Sequence, residues 1–452
     1  MQRVAIVGAG PSGFYAAEQL LTAGFSVDLY DALPTPYGLV RAGVAPDHPK
    51  IKSVTRVYEK TAKKDGFRFF GGVELGSDIS REELLGRYHA VVYAVGTALD
   101  NRLGIEGEHR PGSVAATDFV AWYNGHPGFA DHQFPLHVSR AVVIGNGNVA
   151  IDVARMLVLD PDELAPTDTA DHALAGFGGA SVKDVIIMGR RGPAQASFTN
   201  PELRELGDLA RADVIVDPAD LEGIDLEALD PTPRRNVEIL TEYSRREPEG
   251  KSHRIEFRFY RSPIELVGVE EDGDVEGLRV VKNEIVEGRA VATGEQEIID
   301  CGLVVRSIGY RGRPLPGVPF DETRGLIRND GGRITGEAGD PMPGEYVVGW
   351  IKRGPSGVIG TNKKDAADTT SKLVEDAAAG RLNTPTVHDD AEPWLRDRVP
   401  GLVTWGDWQK IDAHETTAGQ AQGRPRVKLV RVPEMLAVAE TLPTRGVAAS
   451  SS

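Results

Sequence analysis

Two glycine-rich turns hold the residues whose types and spacing best suit chemistry. The first, Gly8-Ala9-Gly10-Pro11-Ser12-Gly13, follows the apolar run Val4-Ala5-Ile6-Val7 and opens a helical pattern over 14–23. In this setting each glycine has a physical job: the first permits the tight bend, the second lets backbone approach a pyrophosphate, and the third lets helix and strand pack closely. Free N–H groups at the helix N-terminus then face the diphosphate. The next strand, expected over 26–30, ends at Asp31, where a carboxylate can accept hydrogen bonds from ribose hydroxyls. An acid there favours FAD or NAD over a 2′-phosphorylated nucleotide.

The second turn, Gly145-Asn146-Gly147-Asn148-Val149-Ala150, follows Ala141-Val142-Val143-Ile144 and leads into an amphipathic helix expected over 151–159. Its pattern is GxGxxA, again a phosphate cradle. After an insertion over 161–180, the strand expected over 184–188 closes on Gly189-Arg190-Arg191, so a cationic pair stands where the first unit has an acid. Two guanidinium forks suit a 2′-phosphate and are poor partners for bare hydroxyls. The second nucleotide therefore reads as NADP.

Positioning two such turns takes two βαβ units, and 452 residues exceed what one core usually holds. With 40% hydrophobic residues, 26% charged and 52 glycines, the composition fits a globular α/β protein with many tight turns. A formal net charge of −16 argues against nucleic acid as the main partner. The lone cysteine, Cys301, excludes an intramolecular disulfide, a CxxC redox pair and a cysteine-ligated iron–sulfur cluster. Any metal-centred electron carrier must then be a separate molecule. No apolar run reaches membrane-spanning length, and the first strand starts too near Met1 to leave room for a leader, so a cytoplasmic protein is expected. The last residues, 446–452, are expected to be disordered.

Three further stretches make the pattern specific: Leu33-Pro34-Thr35-Pro36-Tyr37-Gly38-Leu39-Val40-Arg41-Ala42-Gly43-Val44-Ala45-Pro46-Asp47-His48-Pro49-Lys50, residues 198–205, and residues 348–365 with Gly354-Pro355-Ser356-Gly357 at their centre. Together they resemble the adrenodoxin reductase type of ferredoxin–NADP reductase, and within it the actinobacterial ferredoxin reductases. The resemblance runs from the first strand to about residue 410. It implies a glutathione reductase-like α/β architecture with two Rossmann-like domains. An FAD domain is built from 1–106 and 316–452, with an NADP domain, 107–315, inserted between. Apolar runs ending in glycine, Tyr93-Ala94-Val95-Gly96 and residues 304–310, are plausible strands beside the crossovers.

The resemblance also assigns residues. FAD contacts fall on Gly8, Gly10, Ser12, Gly13, Asp31, Leu39, Leu75, Trp350 and the backbone of Gly357, Val358 and Ile359. NADP contacts fall on Asn146, Gly147, Asn148, Val149, Arg190, Arg191 and Glu202, with Gly357 toward the nicotinamide. The family's phosphate-binding arginine aligns with Asn101, one position before Arg102, which is the nearest candidate here. His48 and Glu205 match a polar pair kept near the two redox rings, where an imidazole can tune charge or relay protons. Taken alone, His48 in Asp-His-Pro reads as a turn residue and Glu205 as an exposed helical acid.

Hydride transfer needs no protein nucleophile, because nicotinamide and flavin carry the chemistry. The implied activity is hydride transfer from NADPH to flavin N5, followed by single-electron transfers to a ferredoxin-type iron–sulfur protein. Arg234, Arg235, Arg245 and Arg246, within a basic stretch reaching Arg261, are the expected docking residues for an acidic ferredoxin. The missing CxxC excludes a disulfide reductase, and no FxGxxxHxxxW run marks a flavin monooxygenase. An alternative is an electron-channelling flavoprotein subunit of a larger complex, like that of glutamate synthase. The tail from Asn383, with Trp394, Trp405 and Trp408, suggests core packing, and residues 426–432 a short terminal strand.

Overall fold

The computed structural model describes residues 2–270, 272–357 and 359–440. The expected disordered end, 446–452, lies outside them, as does Val358. The chain divides into two compact units, one from Met1–Leu99 with Tyr310–Ser452 and one from Asp100–Gly309. The expected boundaries lie a few residues further along. The second unit already begins at Asp100, because Asn101 N donates to Gly309 O at 3.1 Å and Asn101 Nδ2 to Ile308 O at 3.3 Å, tying the unit's start to its end.

In the first unit an eight-stranded sheet runs in the order Asn329–Asp330, Arg333–Thr335, Pro341–Val347, Ala90–Tyr93, Arg3–Val7, Ser26–Asp31, Phe67–Gly71, Val403–Thr404. The five central strands, from Pro341–Val347 to Phe67–Gly71, are parallel, with Val4 opposite both Val27 and Ala90. Such strands are covered on both faces, which is why Val4 to Val7 read as a continuous apolar run. Alternate side chains then serve different cores. Val4 and Ile6 pack with Phe14, Leu20, Val27 and Trp408, whereas Ala5 and Val7 pack with Tyr30, Phe70, Leu84 and Tyr93. Each such burial is worth roughly 1.5–3 kcal/mol for a large side chain.

The helix Pro11–Thr22 begins three residues before the apolar pattern does, because Pro11 occupies the first turn, where its missing N–H costs nothing. The long helix Ile359–Ala378 packs beside it, sending Ala366 and Leu373 into the same core. The expected strand over 426–432 does not form. Val427 N donates to the backbone oxygen of Glu415 at 2.9 Å and Leu429 N to the Glu415 carboxylate at 2.9 Å, so these donors are spent on a helix, and Val432–Ala439 is itself helical.

The second unit carries six parallel strands in the order Ser113–Ala115, Leu303–Arg306, Arg140–Ile144, Asp184–Met188, His253–Arg258, Ala212–Val216. A three-stranded antiparallel sheet, Arg261–Val267, Gly277–Val286 and Arg289–Asp300, shares its core through Leu266, Leu278 and Val280 against Val142, Ile144 and Ile186. Cys301 is buried there, and burial pushes its thiol up to about 12, so it offers no thiolate. Among the described residues, no helix is long and apolar enough to cross a membrane.

One buried charge fastens the edge of the first sheet. Burial alone would raise the Asp376 carboxyl, yet donors from Arg333 (2.7 and 3.0 Å), Arg381 (2.6 and 3.0 Å) and Tyr346 (2.8 Å) hold it at about 2. A carboxylate depressed from 3.8 stabilises the fold above about pH 4, and that contribution is lost as pH falls toward 2. Asp376→Asn is expected to lower Tm at pH 7 by roughly 5 °C, because it leaves buried donors unmatched. It is also expected to flatten the loss of Tm between about pH 4 and pH 2. Thermal unfolding at pH 7 and pH 3 checks both.

Candidate functional site

Both glycine turns form as cradles, each within its own unit. Gly8, at φ +113°, donates its N–H to Tyr30 O at 2.8 Å, and an added Cβ would lie 2.4 Å from Ala94 O. A Cβ on Gly13 would sit 2.0 Å from Gly8 O. Neither position tolerates a side chain, so strand, turn and helix meet at backbone distance. The helix Pro11–Thr22 has no side-chain cap, and its first-turn N–H groups are left to a ligand. That arrangement fits a nucleotide diphosphate.

The proline-rich motif closes over this turn. Gly38, at φ +49°, brings its would-be Cβ within 3.0 Å of Gly10 Cα, and Tyr37 N donates to Ala9 O at 2.8 Å. Tyr37 itself is held at φ +87°, a costly conformation for a bulky residue. Phe14 at 5.6 Å and the edge of Trp408 at 5.6 Å lock its ring in place. Asp31 stands at the end of Ser26–Asp31, its two oxygens accepting from Ala9 N at 2.8 Å and Leu33 N at 2.9 Å. Burial pushes its carboxyl up to about 6, against the pull of these two amides. A carboxylate has further lone pairs, so ribose hydroxyls can still be met.

The motif from the far end of the chain arrives at the same place. Gly349, at φ +79°, would put a Cβ 2.3 Å from Ser12 Oγ. Asp365 fixes this bend by accepting from Gly349 N at 2.6 Å and Lys352 Nζ at 2.8 Å. Trp350 stacks on Tyr310 at 5.8 Å, and its buried Nε1 has no hydrogen-bond partner among the described residues. An orphaned indole donor next to the bend that meets the first glycine cradle fits a polar heterocyclic cofactor. Gly357 is left-handed at φ +81°, and Ile359 opens the helix Ile359–Ala378. Leu39 is 44% exposed, whereas the Leu75 side chain belongs to the core with Val73 and Ile79. His48 is the half-buried residue that begins the short helix Pro49–Lys52.

The second unit repeats the first cradle. Gly145, at φ +143°, donates the same backbone bond, its N–H reaching Met188 O at 2.8 Å, and its Cβ would lie 2.0 Å from Ser307 O. The helix Asn148–Val158 starts at Asn148 rather than Ile151, with Gly147 before it and no side-chain cap. Asn146 Oδ1 is buried with no partner among the described residues, as expected where a ligand donor is to be received. Asn148 Oδ1 accepts from Thr199 N at 2.7 Å, and Asn146 O from Ser197 N at 2.8 Å. These bonds set the helix Asn200–Glu205, and with it Glu202 and Glu205, beside the turn; Arg155 Nη1 lies 3.6 Å from Glu205. Val149 is half-buried in the first turn of its helix.

Arg190 and Arg191 are exposed directly after Asp184–Met188, and neither has an acidic partner among the described residues. Their backbone oxygens are anchored by Asn283 Nδ2 at 2.9 Å and Tyr260 N at 3.2 Å, so the loop is fixed while both guanidinium groups stay open. Arg102 is exposed on the opening segment of the unit, and the Asn101 side chain is taken up by Ile308 O.

Sequence reasoning gave no reason to single out Glu415. Fully buried, its carboxylate accepts from Arg41 at 2.6 and 2.8 Å, Arg426 at 3.0 Å and Leu429 N at 2.9 Å. Burial opposes ionisation, and the guanidinium groups of Arg41 and Arg426 outweigh it and lower the pKa. Lys428 Nζ adds a bond to Arg41 O at 3.1 Å, and Arg41 lies 5.5 Å over Trp408. The C-terminal segment thus clamps the turn Leu39–Ala42, which adjoins Gly38 and the first cradle.

Two cradles of one design, one closed by an acid and one by an open arginine pair, define an oxidoreductase of the two-nucleotide class. Residues 2–165 match the family described as pyridine nucleotide-disulphide oxidoreductase. NADPH-ferredoxin reductase FprA of Mycobacterium tuberculosis is 51% identical over 96% of this chain and 98% of its own length. The mitochondrial NADPH:adrenodoxin oxidoreductase of Salvelinus fontinalis is 41% identical, over 97% and 91%. The solved structure of M. tuberculosis FprA in complex with NADPH superposes with a TM-score of 0.92 at 50% identity, covering 97% of this chain and 99% of that one. The chain belongs to the NADPH-ferredoxin reductases of the adrenodoxin reductase type.

Glu415→Gln keeps the shape of the clamp and removes its charge, leaving the buried Arg41 guanidinium without its counter-ion while Arg426 keeps only Asp412, at 2.8 Å. It is expected to weaken FAD retention by about tenfold, read as release of flavin fluorescence on dilution. Retention equal to wild type would cut the link between clamp and cradle.

Proposed function

We propose that this chain holds FAD in the unit built from Met1–Leu99 and Tyr310–Ser452, takes NADPH in the unit Asp100–Gly309, and delivers electrons to a separate ferredoxin-type iron–sulfur protein. The observation that carries the reading is the opposite chemistry at two equivalent strand ends. Asp31 follows one cradle, and the exposed pair Arg190 and Arg191 follows the other. When bound, FAD accepts two electrons from NADPH and releases them one at a time.

The protein's own part is to bind and orient. Gly8, Gly10 and Gly13 let backbone meet one diphosphate while Ser12, Asp31, Leu39, Trp350 and the 357–359 backbone orient the flavin nucleotide. Asn146, Gly147, Asn148 and Val149 meet the second diphosphate, Arg190 and Arg191 grip the 2′-phosphate, and Glu202 contributes from its helix. Leu75 and Arg102 complete the assignment, Leu75 through its backbone. His48 and Glu205 serve as the polar pair that tunes charge or relays protons at the rings.

An acidic acceptor meets a chain of net charge −16, so it must be drawn to local cationic surface. Arg234, Arg235, Arg245 and Arg246 supply such charge on and just after the helix Pro231–Ser244. Arg234 already pairs with Glu227 at 3.1 Å and Arg235 with Glu238 and Glu242, which leaves Arg245 and Arg246 as the more open members. We place the reaction in the cytoplasm, since one buried thiol asks for no oxidising compartment.

Steady-state reduction of an acidic ferredoxin with NADPH against NADH tests the whole reading. The double variant Arg190→Ala/Arg191→Ala is expected to raise KM for NADPH on the order of 100-fold and to leave KM for NADH nearly unchanged. A wild type that prefers NADH would overturn the assignment.

A further inference from the structure

We infer that the cationic outer face of residues 50–63, in the first unit, is a docking surface for the acidic iron–sulfur acceptor; this rests on the acceptor class proposed above. In a chain with 51 basic and 67 acidic residues, the stretch from Lys50 to Lys64 holds six Lys or Arg and a single acid, Glu59. The helix Thr55–Ala62 sorts them by its period. Tyr58 and Thr61 are buried, so Arg56, Val57, Lys60 and Lys63 point outward together. Lys50 and Ile51, on the helix Pro49–Lys52 just before, are exposed as well.

Two properties separate this face from an ordinary solvated one. Its charge is not neutralised: Lys50, Arg56, Lys60 and Lys63 have no acid within ion-pair distance among the described residues, whereas Lys64 at its edge pairs with Glu18 at 2.6 Å. By contrast, most cations of the arginine-rich stretch in the second unit are engaged at home. Besides Arg234 and Arg235, Lys251 meets Glu249, Arg254 meets Asp184, Arg258 meets Glu256, and Arg261 meets Glu297. The face is also partly apolar, with Ile51 42% and Val57 45% exposed among the cations. Apolar contacts ringed by charge are what a specific, short-lived protein contact uses, the charges speeding encounter and the apolar groups fixing the pose.

Its position in the chain suits an electron acceptor. The face begins two residues after His48, on the helix that His48 opens. A partner seated there is held against the same loop that carries the proposed ring-side imidazole.

The test uses the full FAD-loaded chain, with NADPH reducing either an acidic plant-type [2Fe–2S] ferredoxin or the neutral quinone menadione. Lys60→Glu/Lys63→Glu should raise KM for ferredoxin about tenfold at low salt, with the difference shrinking as salt rises, and leave menadione reduction unchanged. Lys60→Ala/Lys63→Ala should give a smaller rise in the same direction, and it serves if charge reversal disturbs FAD content. A ferredoxin KM within about twofold of wild type in both variants overturns the surface, above all if Arg245→Glu/Arg246→Glu alone raises it. A wild type that reduces menadione but not ferredoxin overturns the acceptor class, and the surface with it.

Discussion

Both units depend on one backbone geometry: a glycine whose missing side chain lets three separate pieces of main chain converge. At Gly8 the neighbours are Tyr30 O, which accepts its N–H at 2.8 Å, and Ala94, whose own N–H reaches back to Val7 O at 2.7 Å. At Gly145 the same roles fall to Met188 O at 2.8 Å and to Ser307, bonded to Ile144 O at 2.8 Å. The strand before the turn, the strand after the helix and the strand returning from elsewhere are thereby pinned at one point. Opening that point by a methyl group would push the third strand away in either unit, since Cβ would lie 2.4 Å from one carbonyl oxygen and 2.0 Å from the other. The cofactor cradle and the sheet register are therefore one constraint, satisfied together or not at all.

What differs between the units is how the cradle is supported. In the second, short polar side chains near the turn do the work: Asn148 holds Thr199, and Asn146 holds Ser197 through its carbonyl. In the first, support comes from the far end of the chain. Asp365 bends the backbone at Gly349 toward Ser12, and Glu415 gathers Arg41, Arg426 and Leu429 around one buried charge. Such a buried carboxylate is tolerable because four donors replace its water, and removing any one leaves the others strained against an incomplete partner. The unusual φ of Tyr37 belongs to the same economy, held by aromatic contacts from the first helix and from Trp408.

These contrasts explain which parts were readable from the amino-acid sequence. The glycine turns, the strands Arg3–Val7 and Asp184–Met188, and the acid and arginine closures all follow from local rules, where chain neighbours are also spatial neighbours. The Glu415 clamp obeys no local rule: Arg41 stands 374 positions away, and nothing near either residue announces the other. The same clamp accounts for the misread segment at 426–432. Arg426-Val427-Lys428-Leu429-Val430-Arg431 alternates as a strand should, yet Glu415 takes the N–H groups of Val427 and Leu429 before any strand can. Alternation records which side chains face inward, and it is silent on where the backbone donors go.

Charge is legible in the same limited way. Counted along the chain, residues 234–261 and 50–64 are both basic, and composition alone ranks the longer stretch first. Folding reverses the order, because neutralisation is decided by register. Arg258 and Arg261 both reach Glu297, which the hairpin Gly277–Val286 and Arg289–Asp300 brings alongside from more than thirty positions away. Among the described residues no acid pairs with Arg56 or Lys60 on the helix Thr55–Ala62, whose inner face is filled by Tyr58 and Thr61 against Phe14, Tyr15 and Glu18 of the first helix. The acid that contact supplies, Glu18, reaches Thr61 and the edge residue Lys64, and leaves the outer lysines to the solvent. An uncompensated charge is thus the outcome of which element packs where, and in an acidic molecule it marks the surface on which an acidic partner is not repelled.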